Sequence, residues 1–134
     1  IISIYMNKIL VEVSVGELLD KISILEIKSE KIKDPEKLNF INDEYKILKD
    51  QLNTNIKNYS EIESLYNSLK EINSKLWVIE DDKRLCEKNS DFGEKFIKLS
   101  RDVHFLNDDR AKLKLEINNK TGSKIKEIKE YTKY

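Results

Sequence analysis

Apolar residues recur along this chain at three- and four-residue intervals, and the pattern predicts four amphipathic helices. Val15, Leu18, Leu19, Ile22 and Leu25 make the first stripe, which Ile24 and Ile27 widen toward a second neighbour, so a helix is expected over 15–32. Ser14 and Glu17 read as its capping box, the Ser14 hydroxyl accepting from a first-turn N–H while Glu17 reaches back. Asp34 as N-cap and Pro35 at the first helical position open a second helix over 35–54, with Leu38, Ile41, Tyr45, Leu48 and Leu52 on its core face. After a polar loop, a second capping box at Ser60 and Glu63 leads into the seam Ile62, Leu65, Leu69, Ile72, Leu76 and Ile79, which predicts the longest helix over 61–88. A fourth helix over 92–118 carries Phe96, Leu99, Val103, Leu106, Leu113 and Ile117, with Gly122 near its end as a stop. Segment 8–13 reads as a short strand, 124–131 as a strand pairing with it or a frayed helix, the strand being favoured, and 1–5 as an extension ahead of a start at Met6. The expected architecture is one all-α domain over 1–134, an antiparallel four-helix bundle with a long hairpin of helices 3 and 4 and short terminal β-strands.

Two charged clusters interrupt these stripes: EDDKR at 80–84 and NDDR at 107–110. A charge at a core-facing position must be paired, solvated or used by a ligand, since leaving it buried alone costs several kcal/mol. On helical wheels Asn73, Glu80 and Arg84 lie within the third stripe, Asn107, Arg110 and Lys114 within the fourth, and Glu26 within the first. Reflecting positions about each loop brings Glu26 level with Ile41, Asn73 and Asp108, with Arg110 within a turn. Glu26, Asn73, Asn107, Asp108 and Arg110 are therefore the leading candidates for a ligand site or a buried polar network, and Glu17, Asp20, Glu80, Asp81 and Arg84 the second rank. The same reflection leaves the third helix, ~40 Å long against ~27 Å for the first, overhanging beyond Glu80. Leu85, Phe92 and Phe96 on that tip would need cover, which predicts a homodimer through the hairpin tip.

Charge and composition narrow the chemistry. Lys plus Arg equals Asp plus Glu at 25 each, so no net field draws nucleic acid or an anionic membrane, and neither is an expected partner. The single cysteine, Cys86, forms no intrachain disulfide, and no apolar run of about 18 residues exists, which together suggest a cytoplasmic protein. His104 stands alone, without the ligands of a zinc site, and no phosphate-cradling glycine loop is present, so no cofactor is predicted. All-α nucleotide pyrophosphohydrolases hold Mg²⁺ with carboxylates three residues apart on facing helices. Glu17 and Asp20 have that spacing, and Glu80, Asp81 and Asp108 are the residues that would face them, but the second spaced pair is missing. Only three arginines, Arg84, Arg101 and Arg110, occur in this lysine-rich chain, and a planar guanidinium suits bidentate pairing. Arg110 is expected to pair with Glu26 or Asp108, and Arg84 with Glu80 or Asp81, unless an anionic ligand takes them.

VSVGELLDKISILEIK, LWVIEDDKR, HFLNDDRAKLKLEIN and the closing tail together resemble a family of small uncharacterised proteins of bacteria and their phages, a domain of unknown function. The family motifs VSVGE, DKxxILEIK, LWxIED and NDxRA are matched by Ser14, Gly16, Glu17, Asp20, Lys21, Glu26, Lys28, Trp77, Glu80, Asp81, Asn107, Asp108 and Arg110, while the tail EIKEYTKY departs from the pattern. The resemblance supports the choice of residues and implies no reaction. The favoured reading is a non-catalytic binding or accessory module for a protein or a small anionic ligand. A Mg²⁺-dependent hydrolase of a phosphorylated small molecule and a purely structural helical oligomer are the alternatives.

Overall fold

The computed structural model of the chain describes residues 7–134, and the 1–5 extension expected from the sequence lies outside them. Four helices form where the 3.6-residue period runs: α1 (Val15–Lys31), α2 (Pro35–Asn55), α3 (Glu63–Lys88) and α4 (Glu94–Thr121). Each boundary has a local cause. Ser14 Oγ accepts from the Glu17 N–H at 3.1 Å, although the Glu17 carboxylate turns to α4 rather than back to the cap. Pro35 fixes the first turn of α2 without a side-chain cap from Asp34. The expected box at Ser60 does not form, because Tyr59–Glu61 is a 3₁₀ turn and α3 begins at Glu63 behind Ile62. α4 ends at Gly122, whose φ of 65° is the left-handed conformation that glycine adopts without strain.

α1 is the hub, and α2, α3 and α4 all pack against it, while α3 and α4 form the long hairpin. Leu19 and Ile22 of α1 meet Leu52 of α2, Ile62, Tyr66 and Leu69, and Ile117 of α4 in one buried cluster, which Tyr45, Leu48, Leu65 and Leu113 flank. The chain is an all-α helical bundle in which α4 runs antiparallel to α1 and to α3: Gly16 faces Asn118 while Asp20 faces Lys114, and Asn73 faces Arg110 while Lys83 lies over Phe96. At the hairpin tip Leu85 and Phe92 are exposed, and Phe92 meets Phe96 edge to face at 5.6 Å. Cys86 is a free, buried thiol. No helix among the described residues is long and apolar enough to cross a membrane.

The terminal strands are a correction. Among the described residues neither 8–13 nor 124–131 forms a strand. A strand needs a partner for its backbone groups, and 8–13 finds none, with Ile9 and Leu10 exposed at 87% and 81%. The tail instead doubles back along α4. The Ser123 hydroxyl accepts from the Val15 N–H and donates to the Ile125 carbonyl, Glu127 reaches Lys114, and the Tyr134 hydroxyl donates to Asp108 with its ring against His104 and Phe105.

Candidate functional site

The site grows from one close helix approach. Gly16 lies so near α4 that a Cβ there would sit 2.6 Å from the Lys114 carbonyl oxygen, and its N–H donates to Asn118 Oδ1 at 2.7 Å. That proximity brings the Lys114 ammonium, on a residue only 7% exposed, to 2.7 Å from Glu17, 3.6 Å from Asp20 and 3.0 Å from Glu127. The second oxygen of buried Asp20 accepts from Asn73 Nδ2 at 2.8 Å, and the same amide group donates to Ser23 Oγ at 2.8 Å. Ser23 in turn donates to the Asp20 carbonyl at 2.7 Å. Asn73 Oδ1 then accepts from Arg110 Nη1 at 3.3 Å. A continuous polar chain thus runs from the tail through Lys114, Asp20 and Asn73 to Arg110.

Arg110 ends this chain at the wall of a cleft of about 420 Å³ between α1, α3 and α4. Ile24, Ile27, Leu76 and Trp77 supply its apolar surface, and Asn73, Glu80, Asp81, Arg84 and Arg110 its polar groups. Arg84 lies 4.0 Å from Glu80 with its side chain 79% exposed, a contact of little energetic weight. Arg110 differs. Among the described residues it has no carboxylate partner, and its Nε is buried without any hydrogen-bond acceptor. A buried donor left unmet costs roughly 1–3 kcal/mol, so the Arg110 guanidinium is held here at a cost.

Several sequence expectations change here. The clusters at 80–84 and 107–110 were expected to separate, one overhanging and one inside the bundle; Glu80, Asp81, Arg84 and Arg110 instead line one cleft. Asn73 and Arg110 meet as expected, but Glu26 does not join them: it accepts from the Tyr66 hydroxyl and pairs with Lys70 at 3.4 Å. Asp20, six residues earlier on α1, takes the place expected for Glu26. Asp108 is held by Tyr134, and Asn107 is half-buried without a part in the polar chain. Glu17 and Asp20, spaced for a cation, converge on the Lys114 ammonium. Among the described residues no group of three or more His, Cys, Asp or Glu side chains is placed to hold a metal ion. Lys114, Ser23 and Glu127 also belong to the polar chain, and of the three only Lys114 carries a mark in the sequence, its place within an apolar stripe.

Burial disfavours the charged form of Lys114, but its hydrogen bonds to Glu17 and Glu127 and the charges of Asp20 and Glu17 outweigh this and raise its pKa. The Lys114 hydrogen bond holds Glu127 below the usual carboxylate range. The Lys114 contribution is therefore complete below the ordinary lysine pKa and lost as pH rises through its raised value. The Glu127 contribution is present above the ordinary carboxylate pKa and lost as pH falls through its lowered value. Acidification from above the ordinary carboxylate pKa to well below it should therefore loosen the tail. Heteronuclear NOEs of residues 124–134 should fall over that range, and Glu127→Gln should show the same loosening at neutral pH; a tail equally rigid in both tests would contradict the assignment.

Comparison with known proteins adds a family and no function. No curated protein and no solved structure matches the chain. Residues 9–134 match a family of unknown function (DUF6165) over nearly the whole sequence, and the chain belongs to that family.

Proposed function

We propose that the protein is a non-catalytic binding module whose ligand, a small organic anion, sits in the cleft between α1, α3 and α4. The single observation that carries this reading is the Arg110 guanidinium, which lines an open cleft with no carboxylate partner among the described residues. In a folded protein a charge so placed is normally neutralised by a close neighbour; among the described residues Arg110 hydrogen-bonds the neutral Asn73 amide, and Glu80 and Asp81, which line the same cleft, form no ion pair with it. Asn73 fixes the guanidinium through Nη1, and Asp20, Ser23 and Lys114 fix Asn73 in turn, so the recognition group is held in place before the ligand arrives. The cleft volume lies in the range of small-molecule sites, and its walls pair apolar side chains with a few polar groups in the usual way.

Trp77 is the chain's only tryptophan and lines the cleft, so its fluorescence reports occupancy directly. Titration with a panel of carboxylates and phosphate monoesters should give a saturable change for at least one member, and Arg110→Gln should weaken it at least tenfold while the far-UV circular dichroism is unchanged. A panel that leaves Trp77 silent, or a response that survives Arg110→Gln intact, would overturn the reading.

A further inference from the structure

The hairpin of α3 and α4 has two sides. α1 packs on the side of Asn73, Leu76 and Trp77, and α2 touches only α1, so among the described residues no helix covers the other side. That outer side carries a groove of about 650 Å³ lined by Val78, Ile79, Phe105 and Leu106, which continues past Phe105 and Asp102 to Ile97. Val78, Ile97 and Phe105 are 50%, 55% and 41% exposed. Leu85, seven residues on from Val78 and so on the same face, is exposed too. A contiguous apolar strip left in water marks an interaction surface.

The rim of the groove is charged in a set order. Glu71 pairs with Lys75 at 3.6 Å and Lys98 with Asp102 at 2.7 Å, each within its own helix. Asn73 faces Arg110 and Lys83 lies over Phe96. That register sets Asp102 about five residues beyond Lys75 on the scale of α3, and Lys98 about nine beyond it. Along the hairpin the rim therefore runs acid, base, acid, base over ~20 Å, with Val78 and Phe105 at its midpoint. Turned end over end about that midpoint, the ladder meets its own copy with opposite signs at both steps: Glu71 comes level with Lys98 of a second copy, and Lys75 with its Asp102. Both steps share one centre whatever the exact register, because the two ion pairs have the same four-residue spacing on antiparallel helices. Arg101, over the Phe105 ring at 6.0 Å, comes opposite the neutral Ser74, and Glu94 falls beyond the overlap.

We propose that this face binds a second copy of the chain about a two-fold axis at Val78 and Phe105, so that the two hairpins form a four-helix bundle. Its charges balance, which suits self-association and disfavours a strongly acidic or basic partner. The dimer contact expected at the hairpin tip thus lies on the hairpin's flank, and the cleft that holds Arg110, on the other side of α3, stays open. The overlap is ~20 Å long and two helices wide, smaller than an obligate interface, so the dissociation constant should be micromolar.

Sedimentation equilibrium of the full chain from about 5 μM to about 500 μM tests this. Dimer should predominate at the upper end and dissociate toward the lower. Val78→Glu, at a half-exposed helix position, should weaken association at least tenfold with the far-UV circular dichroism unchanged. Lys75→Glu, which sets acid against acid, should weaken it similarly, and adding Asp102→Lys should restore it. A chain monomeric throughout the range would overturn the assignment, as would a dimer that survives Val78→Glu. Association abolished by Phe92→Ser and untouched by Val78→Glu would return the contact to the tip. A doubly exchanged variant no tighter than Lys75→Glu alone would overturn the end-over-end register.

Discussion

Replacing Lys114 with methionine is expected to lower the unfolding free energy by about 3 kcal/mol at neutral pH. The side chain is nearly enclosed, and its ammonium is the shared partner of Glu17, Asp20 and Glu127. Methionine fills a similar volume, so the loss comes from electrostatics rather than from a cavity. Glu17 and Glu127 are partly exposed and can turn toward water. Asp20 is 6% exposed and cannot, so it keeps only Asn73 for its buried charge. Removing one partner of a buried pair is costly because of the charge left behind. Glu17→Gln should therefore cost much less than Lys114→Met. Urea unfolding of the two variants against the parent decides the matter: a fall in midpoint with an unchanged m-value is expected for Lys114→Met, and a loss below about 1 kcal/mol, the scale of an exposed pair, would show that Lys114 is not the anchor of this end of the bundle.

Gly16→Ala should cost about 2 kcal/mol, against the direction that helix propensity sets. Within a helix alanine is favoured over glycine by about 1 kcal/mol. At Gly16 the added carbon would meet the Lys114 carbonyl oxygen at 2.6 Å and Asn118 Oδ1 at 3.0 Å. The first of these is backbone and cannot swing aside, so α1 and α4 must separate. Separation also lengthens the Gly16 N–H bond to Asn118 and withdraws Lys114 from its carboxylates. Overpacking of this kind typically costs 1–3 kcal/mol. Thermal unfolding of the variant should show a lowered midpoint; a variant as stable as the parent, or more so, would mean that the two helices have room to spare.

The four helices were legible in the sequence because an amphipathic period is local information: α1, α2 and α3 end within a residue of their expected C-terminal limits. What could not be read was anything set by two elements together. The strands at 8–13 and 124–131 had suitable residues, but pairing is a long-range event that no local pattern guarantees. Axial register failed in proportion to the number of loops crossed. Across the single α3–α4 loop, Asn73 was placed within a turn of Arg110 and meets it. Across both earlier connections, including the 3₁₀ turn at Tyr59–Glu61, Glu26 was set opposite Asn73 where Asp20 stands, an error of six residues or ~9 Å along the helix. Gly16 shows the same limit. It lies inside the Ser14–Glu17 capping box, yet its role is to let α4 approach, and nothing within α1 announces a neighbour 102 positions away. Lys114 was visible as a charge in an apolar stripe, but its weight became clear only when Glu127 arrived from a tail that had been assigned to a strand.

The central claim is that the Arg110 guanidinium receives the anionic group of a ligand. With only three arginines in the chain, ¹H–¹⁵N spectra of the arginine Nε–H groups resolve into few signals, and Arg110→Lys assigns the one that vanishes. Titration with hexanoate should shift the Arg110 Nε–H signal saturably, along with the Trp77 indole signal, while Arg101 stays still. Movement confined to Arg84 and Arg101, or an Arg110 signal that does not respond while ligand demonstrably binds, would contradict the account.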